Sequence, residues 1–128
     1  MTLSWQTLLA VGTGGFLGAI SRVYANSVIT KSIPSEFPFG ILFINVLGSF
    51  IIGILFAIFL HYNFSITFKS FLTSGFLGAL TTYSTFAIES FLLLETSLFL
   101  GIANMFFNLF GTVFAAGIGY KIVTFLLK

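Results

Sequence analysis

Hydrophobic residues run along this chain in four long stretches parted by three short polar breaks. The first is uncharged from Leu3 to Ser21 and continues past Arg22 to Ile29. The second runs from Phe39 to Leu60, the third from Ser70 to Leu94 and the fourth from Leu98 to Tyr120. A helix needs about 20 apolar residues to cross the hydrocarbon core of a bilayer, and each stretch is that long. The pattern predicts an all-α integral membrane protein, with spans over 3–29, 39–60, 70–94 and 98–120 in one transmembrane domain covering residues 1–128. Ser27–Pro38, with Pro34 and Pro38, reads as the first turn, His61–Lys69 as the second and Glu95–Ser97 as a very tight third.

Polar and small residues inside the spans carry the remaining information. Gly12, Gly14, Gly15, Gly18 and Ala19 give the first span a face that lets another helix come close. In the second, Asn45, Gly48, Ser49 and Ile52 share one face. A buried amide there must find a partner, either a neighbouring helix or a permeant ion. In the third, GFLGALTTYSTFAIE (75–89) mixes glycines, adjacent hydroxyls and β-branched residues, all poor material for a helix interior. A break in mid-membrane is expected. Such a break is tolerated only where protein or water covers it, and it frees carbonyls for cations and amides for anions. On the fourth, Asn104, Asn108, Thr112 and Ala115-Ala116 recur every turn, a polar stripe that must face protein or a solvated track.

Composition narrows the reading. The chain has 128 residues, 58% of them hydrophobic and 6% charged, with mean hydropathy +1.14, so the spans nearly use it up and leave no room for a soluble catalytic domain. The absence of cysteine excludes disulfides and thiolate metal sites, and one histidine, His61, builds no metal cluster. A net charge of +2 is too weak and dispersed for nucleic-acid binding. The first apolar run is too long for a signal peptide and lacks a basic segment before it. No nucleophile–base pair or phosphate loop can be assembled, so enzyme chemistry is not expected. Lys69, Lys121 and Lys128 would lie on one side of the membrane, Arg22 and Lys31 on the other. So small a bias predicts insertion in both orientations.

Three motifs, GGFLGAISR (14–22), FGILFINVLGSFIIG (39–53) and GFLGALTTYSTFAIE (75–89), together resemble the Fluc (CrcB-like) fluoride channels over nearly the whole chain. The resemblance implies an antiparallel, dual-topology dimer of four-helix subunits in the plasma or inner membrane, passing fluoride passively down its electrochemical gradient. It implies two pores and a structural sodium ion held between the broken third helices by the backbone carbonyls of Gly78 and Thr81. By the same matching, Tyr83, Phe86 and Asn45 line the pore and Arg22 stands near its entrance. Ser84, Thr85, Glu89, Asn104, Asn108 and Thr112 would add a track of hydroxyls, amides and a carboxylate. Ring edges carry partial positive charge and suit a small anion shedding water.

The chain departs from that family's pattern in several places. Tyr83 stands where a phenylalanine is usual, Ile41 where a threonine is common, Asn104 in place of a tyrosine and Asn108 in place of a serine. These departures leave open a heterodimer with a differently sequenced partner, or a non-conducting accessory subunit. A proton-coupled exporter of the small multidrug resistance type shares the size and topology. Its essential carboxylate lies in the first helix, however, whereas here the one carboxylate well within a span is Glu89, in the third.

Overall fold

The computed structural model describes residues 3–128, whose regular secondary structure is helical throughout. Helix α1 covers Trp5–Ser32, capped by the Ser4 hydroxyl, which accepts from the Thr7 amide. Helix α2 covers Phe39–His61. Helix α3 begins at Ile66 and ends at Leu80; it is α-helical at Ile66–Ser70 and Gly78–Leu80 and π-helical at Phe71–Leu77. Helix α4 is Tyr83–Thr96, and helix α5 is Leu98–Leu126. Four segments, Trp5–Ser32, Phe39–His61, Ile66–Thr96 and Leu98–Leu126, are long and apolar enough to cross a membrane. The chain has the character of a multi-pass membrane protein.

The segments outrun the lengths read from the sequence. The first extends past Ile29 to Ser32, stopping at Ile33, which Pro34 holds out of helical geometry. The third starts at Ile66 rather than Ser70 because the Ser65 hydroxyl accepts from the Phe68 amide and caps it early. It continues to Thr96, which leaves Ser97 alone as the connection to α5. The last segment continues past Tyr120 to Leu126, since neither Gly nor Pro interrupts Lys121–Leu126.

Two helix pairs dominate the packing, α2 on α5 and α1 on α3. Each is built on small residues. A Cβ on Gly18 would strike the Phe76 carbonyl, and one on Gly14 the Phe71 carbonyl, so only glycine lets the α1 and α3 backbones touch. Gly53 and Gly119 play the same part between α2 and α5, against the backbones of Ala116 and Phe50. By contrast, nothing lies within reach of a Cβ on Gly12. Ile44, Leu77 and Leu80 form the buried core, with Ala25, Ile29, Ile52 and Phe76 against it. Most other large apolar residues, such as Phe99, Phe114 and Phe125, face outward, as a lipid-facing surface requires.

Candidate functional site

Between α3 and α4 the backbone leaves helical geometry at two residues. Thr81 (φ −83°, ψ 155°) and Thr82 (φ −147°, ψ 121°) are extended. The threonines themselves hold both flanking ends. Thr81 sends both its amide (3.1 Å) and its hydroxyl (2.9 Å) to the Leu77 carbonyl, closing α3. The Thr82 hydroxyl accepts from the Thr85 amide (3.2 Å) and donates to Thr85 Oγ1 (3.1 Å), opening α4. Gly75 and Gly78, which the sequence also marks as poor helix formers, sit in the π-helical and α-helical turns of α3.

Other helices supply partners to the backbone groups released here. Asn45 of α2 treats the Thr82 peptide as a strand would: its Oδ1 accepts from the Thr82 amide (2.9 Å) and its Nδ2 donates to the Thr82 carbonyl (3.1 Å). Arg22 of α1, partly buried, donates from Nε to the Ala79 carbonyl (3.0 Å). A cation at a helix C-terminus also meets the negative end of the helix dipole. No donor reaches the carbonyls of Gly78 or Thr81 among the described residues.

Asn45 continues into a buried polar cluster. Its Nδ2 also donates to Asn108 Oδ1 (3.1 Å); Asn108 Nδ2 donates to Asn104 Oδ1 (2.9 Å), and Asn104 Nδ2 to Ser90 Oγ (2.9 Å). The Thr112 hydroxyl donates to the Asn108 carbonyl. The stripe on α5 is thus turned onto protein at Asn104 and Asn108, which are 1% and 4% exposed.

An open cleft of about 570 Å³ lies against this cluster. Asn45 and Ser49 of α2 and the extended Thr81 and Thr82 line it, with Tyr83, Phe86 and Ser90 along one stripe of α4 and Asn108 and Thr112 from α5. The Tyr83 and Phe86 rings meet edge to face, their centroids 5.4 Å apart, and Tyr83 is 81% exposed. Of the residues singled out from the sequence, Asn45, Thr81, Tyr83, Phe86, Asn108 and Thr112 therefore come together at one cleft. Arg22, Gly78, Ser84, Thr85, Glu89 and Asn104 are not among its lining. Thr85 and Glu89, one turn apart, define an adjacent face of α4, and Glu89 Oε1 is buried without a hydrogen-bond partner. Ile41 is buried (2% exposed) away from the cleft.

Among the polar lining residues, the sequence assigns Ser49 only a place on the Asn45 face and no role to Thr82 or Ser90. Spacing reaches Ser90, which completes a helical stripe with Tyr83 and Phe86.

Comparison with known proteins agrees with the motifs. A family model described as CrcB-like protein, Camphor Resistance (CrcB), matches residues 9–120. A protein of Sulfurimonas denitrificans named fluoride-specific ion channel FluC is 52% identical over 98% of this chain and 99% of its own length. Proteins of the same name from Campylobacter jejuni (serotype O:23/36) and Nautilia profundicola are 48% and 36% identical, covering 91% and 98% of this chain and 97% and 100% of their own lengths.

Proposed function

The chain belongs to the CrcB-like family, and from that premise we propose that it is a fluoride channel, passing the ion passively down its electrochemical gradient across the plasma or inner membrane. The cleft carries this reading: it joins extended backbone, hydroxyls and aromatic ring edges within a helical segment apolar enough to span a membrane. Ring edges and hydroxyl donors replace water around a small anion without supplying a fixed charge that would trap it. No covalent chemistry is involved.

The cleft is open on one side, and Tyr83 stands on that open side. A second copy inserted in the opposite sense would cover it, giving a dual-topology dimer with two antiparallel pores. The same pairing would bring the Gly78 and Thr81 carbonyls of both chains together at a structural sodium ion. The donors fit such an ion in kind: they are neutral, hard oxygens at the C-terminal end of α3, where the helix dipole adds negative potential. Bound there, sodium would offset the mutual repulsion of the converging carbonyl dipoles. Arg22 on Ala79 would hold that turn, and Ser84, Thr85 and Glu89 would line the approach along the neighbouring face of α4.

A pairing with a different CrcB-like chain is the second reading, and Tyr83 favours it. Its phenol adds a hydroxyl at a highly exposed position of the cleft, where the partner would sit. Purified chain in liposomes, followed with ion-selective electrodes, tests both readings. Rapid efflux of fluoride but not chloride is expected. No fluoride flux from the chain alone, nor after adding a second family member encoded alongside it, refutes them.

A further inference from the structure

The hydrogen bonds of the three asparagines can run in only one direction. Thr82 sets it, because a backbone amide only donates and a carbonyl only accepts. Asn45 must therefore present Oδ1 to the Thr82 amide and Nδ2 to its carbonyl, and its side chain cannot be turned over. The other Nδ2 proton of Asn45 goes to Asn108 Oδ1. That fixes Asn108, whose Nδ2 serves both Oδ1 (2.9 Å) and the backbone carbonyl (3.0 Å) of Asn104. Asn104 in turn must direct Nδ2 at Ser90 Oγ.

Two consequences follow from this order. Every amide proton of Asn45 and Asn108 is spent on protein, so neither side chain can donate to an ion without breaking the relay. Ser90 Oγ, at the far end, is an acceptor, and its own proton has no acceptor among the described residues. Ser90 is 3% exposed yet lines the cleft beside Phe86. A buried hydroxyl proton without an acceptor is costly, and accepting a bond from Asn104 polarises the O–H and strengthens it as a donor.

We infer that the Ser90 hydroxyl is an anion-binding donor in the cleft, with Asn104, Asn108 and Asn45 as the positioning residues that point its proton away from the protein. The inference rests on the channel reading and assigns to that site a small monoatomic anion, met by one hydroxyl and the edge of the neighbouring Phe86 ring. A hydrogen bond to a charged partner is the stronger kind, and losing it corresponds to about tenfold or more in occupancy.

In liposomes, Ser90→Ala is expected to cut fluoride efflux about tenfold or more relative to the parent chain, and Ser90→Thr, which restores the hydroxyl, to recover most of it. Efflux through a folded Ser90→Ala protein within twofold of the parent would overturn the inference while leaving the channel reading intact. A second variant gives a readout that neither flux nor a purely structural role moves. The chain has no cysteine, so Ser90→Cys introduces a single thiol. Its modification by a small, water-soluble methanethiosulfonate should be slowed severalfold by fluoride and not by gluconate. Equal rates in the two salts would also overturn the inference. A parent chain that passes no fluoride sinks the channel reading, whereas protection of the thiol by fluoride in that case still supports the anion site.

Discussion

Replacing Asn45 by Ala deletes three hydrogen bonds at once, the pair to the Thr82 peptide and the one to Asn108 Oδ1. Side-chain hydrogen bonds inside membrane proteins average about 0.6 kcal/mol, so a purely additive loss is about 2 kcal/mol. The losses here exceed that floor. Asn108 Oδ1 is buried and would stay unpaired, at about 1–3 kcal/mol, while the half-exposed Thr82 groups regain some hydration. A destabilisation of about 2 to 5 kcal/mol is expected, read by equilibrium unfolding in mixed micelles. Asn45→Asp sharpens the test, because it keeps the shape and the acceptor for the Thr82 amide but sets an oxygen against the Thr82 carbonyl and Asn108 Oδ1. It should be at least as destabilising as Ala. If Asn45→Ala costs under about 0.5 kcal/mol, well below the additive floor, the pairing with Thr82 does not hold the extended residues in place.

Arg22→Ala should lower stability by about 1 kcal/mol through loss of the bond to the Ala79 carbonyl, and should weaken any protection of the protein by sodium against thermal unfolding, measured in sodium and then in potassium buffer. Gly18→Ala forces a methyl into the Phe76 carbonyl and should cost about 1–3 kcal/mol in the same unfolding assay, whereas Gly12→Ala, with open space around it, should be neutral or slightly stabilising. Reporter tags on both termini should each be found on both sides of the membrane, and one exclusive orientation would refute the inverted pairing.

The four spans were legible because hydrophobic run length is a direct physical requirement of the bilayer. Their ends were less so. Ser65 looks like loop until its hydroxyl is seen capping α3, and the last six helical residues after Tyr120 carry no breaker to mark them in or out. Asn45 was legible as an amide needing a partner, but the choice between helix and ion depended on where Thr82 and Asn108 would fall, which is tertiary information. The π-helical turns at Phe71–Leu77 follow from no local preference. They lie where α3 packs closely against the Gly14–Gly18 face of α1, a contact with residues about 60 positions away in the chain. Ser90 belongs to none of the three motifs' polar clusters. Only its register with Tyr83 and Phe86 distinguishes it.

An uninterrupted helix through Thr81 and Thr82 would pair every one of its own backbone groups, so the sequence must supply substitutes or leave groups bare. It supplies several: Asn45 for both Thr82 groups, the Thr82 hydroxyl for the Thr85 amide, Arg22 for the Ala79 carbonyl. What is left is ordered by sign. Among the described residues the carbonyls of Gly78 and Thr81 have no donor and the amides of Tyr83 and Ser84 no acceptor, so bare acceptors end α3 and bare donors begin α4. Each bare group costs several kcal/mol in hydrocarbon, and the helix dipoles add to the same polarity at the two ends. Such a pair of ends is tolerable at membrane depth only where water, ions or further protein meets both, and by sign the first suits a cation and the second an anion. That requirement comes from the backbone alone, and it would stand unchanged if every cleft-lining side chain on α4 were replaced.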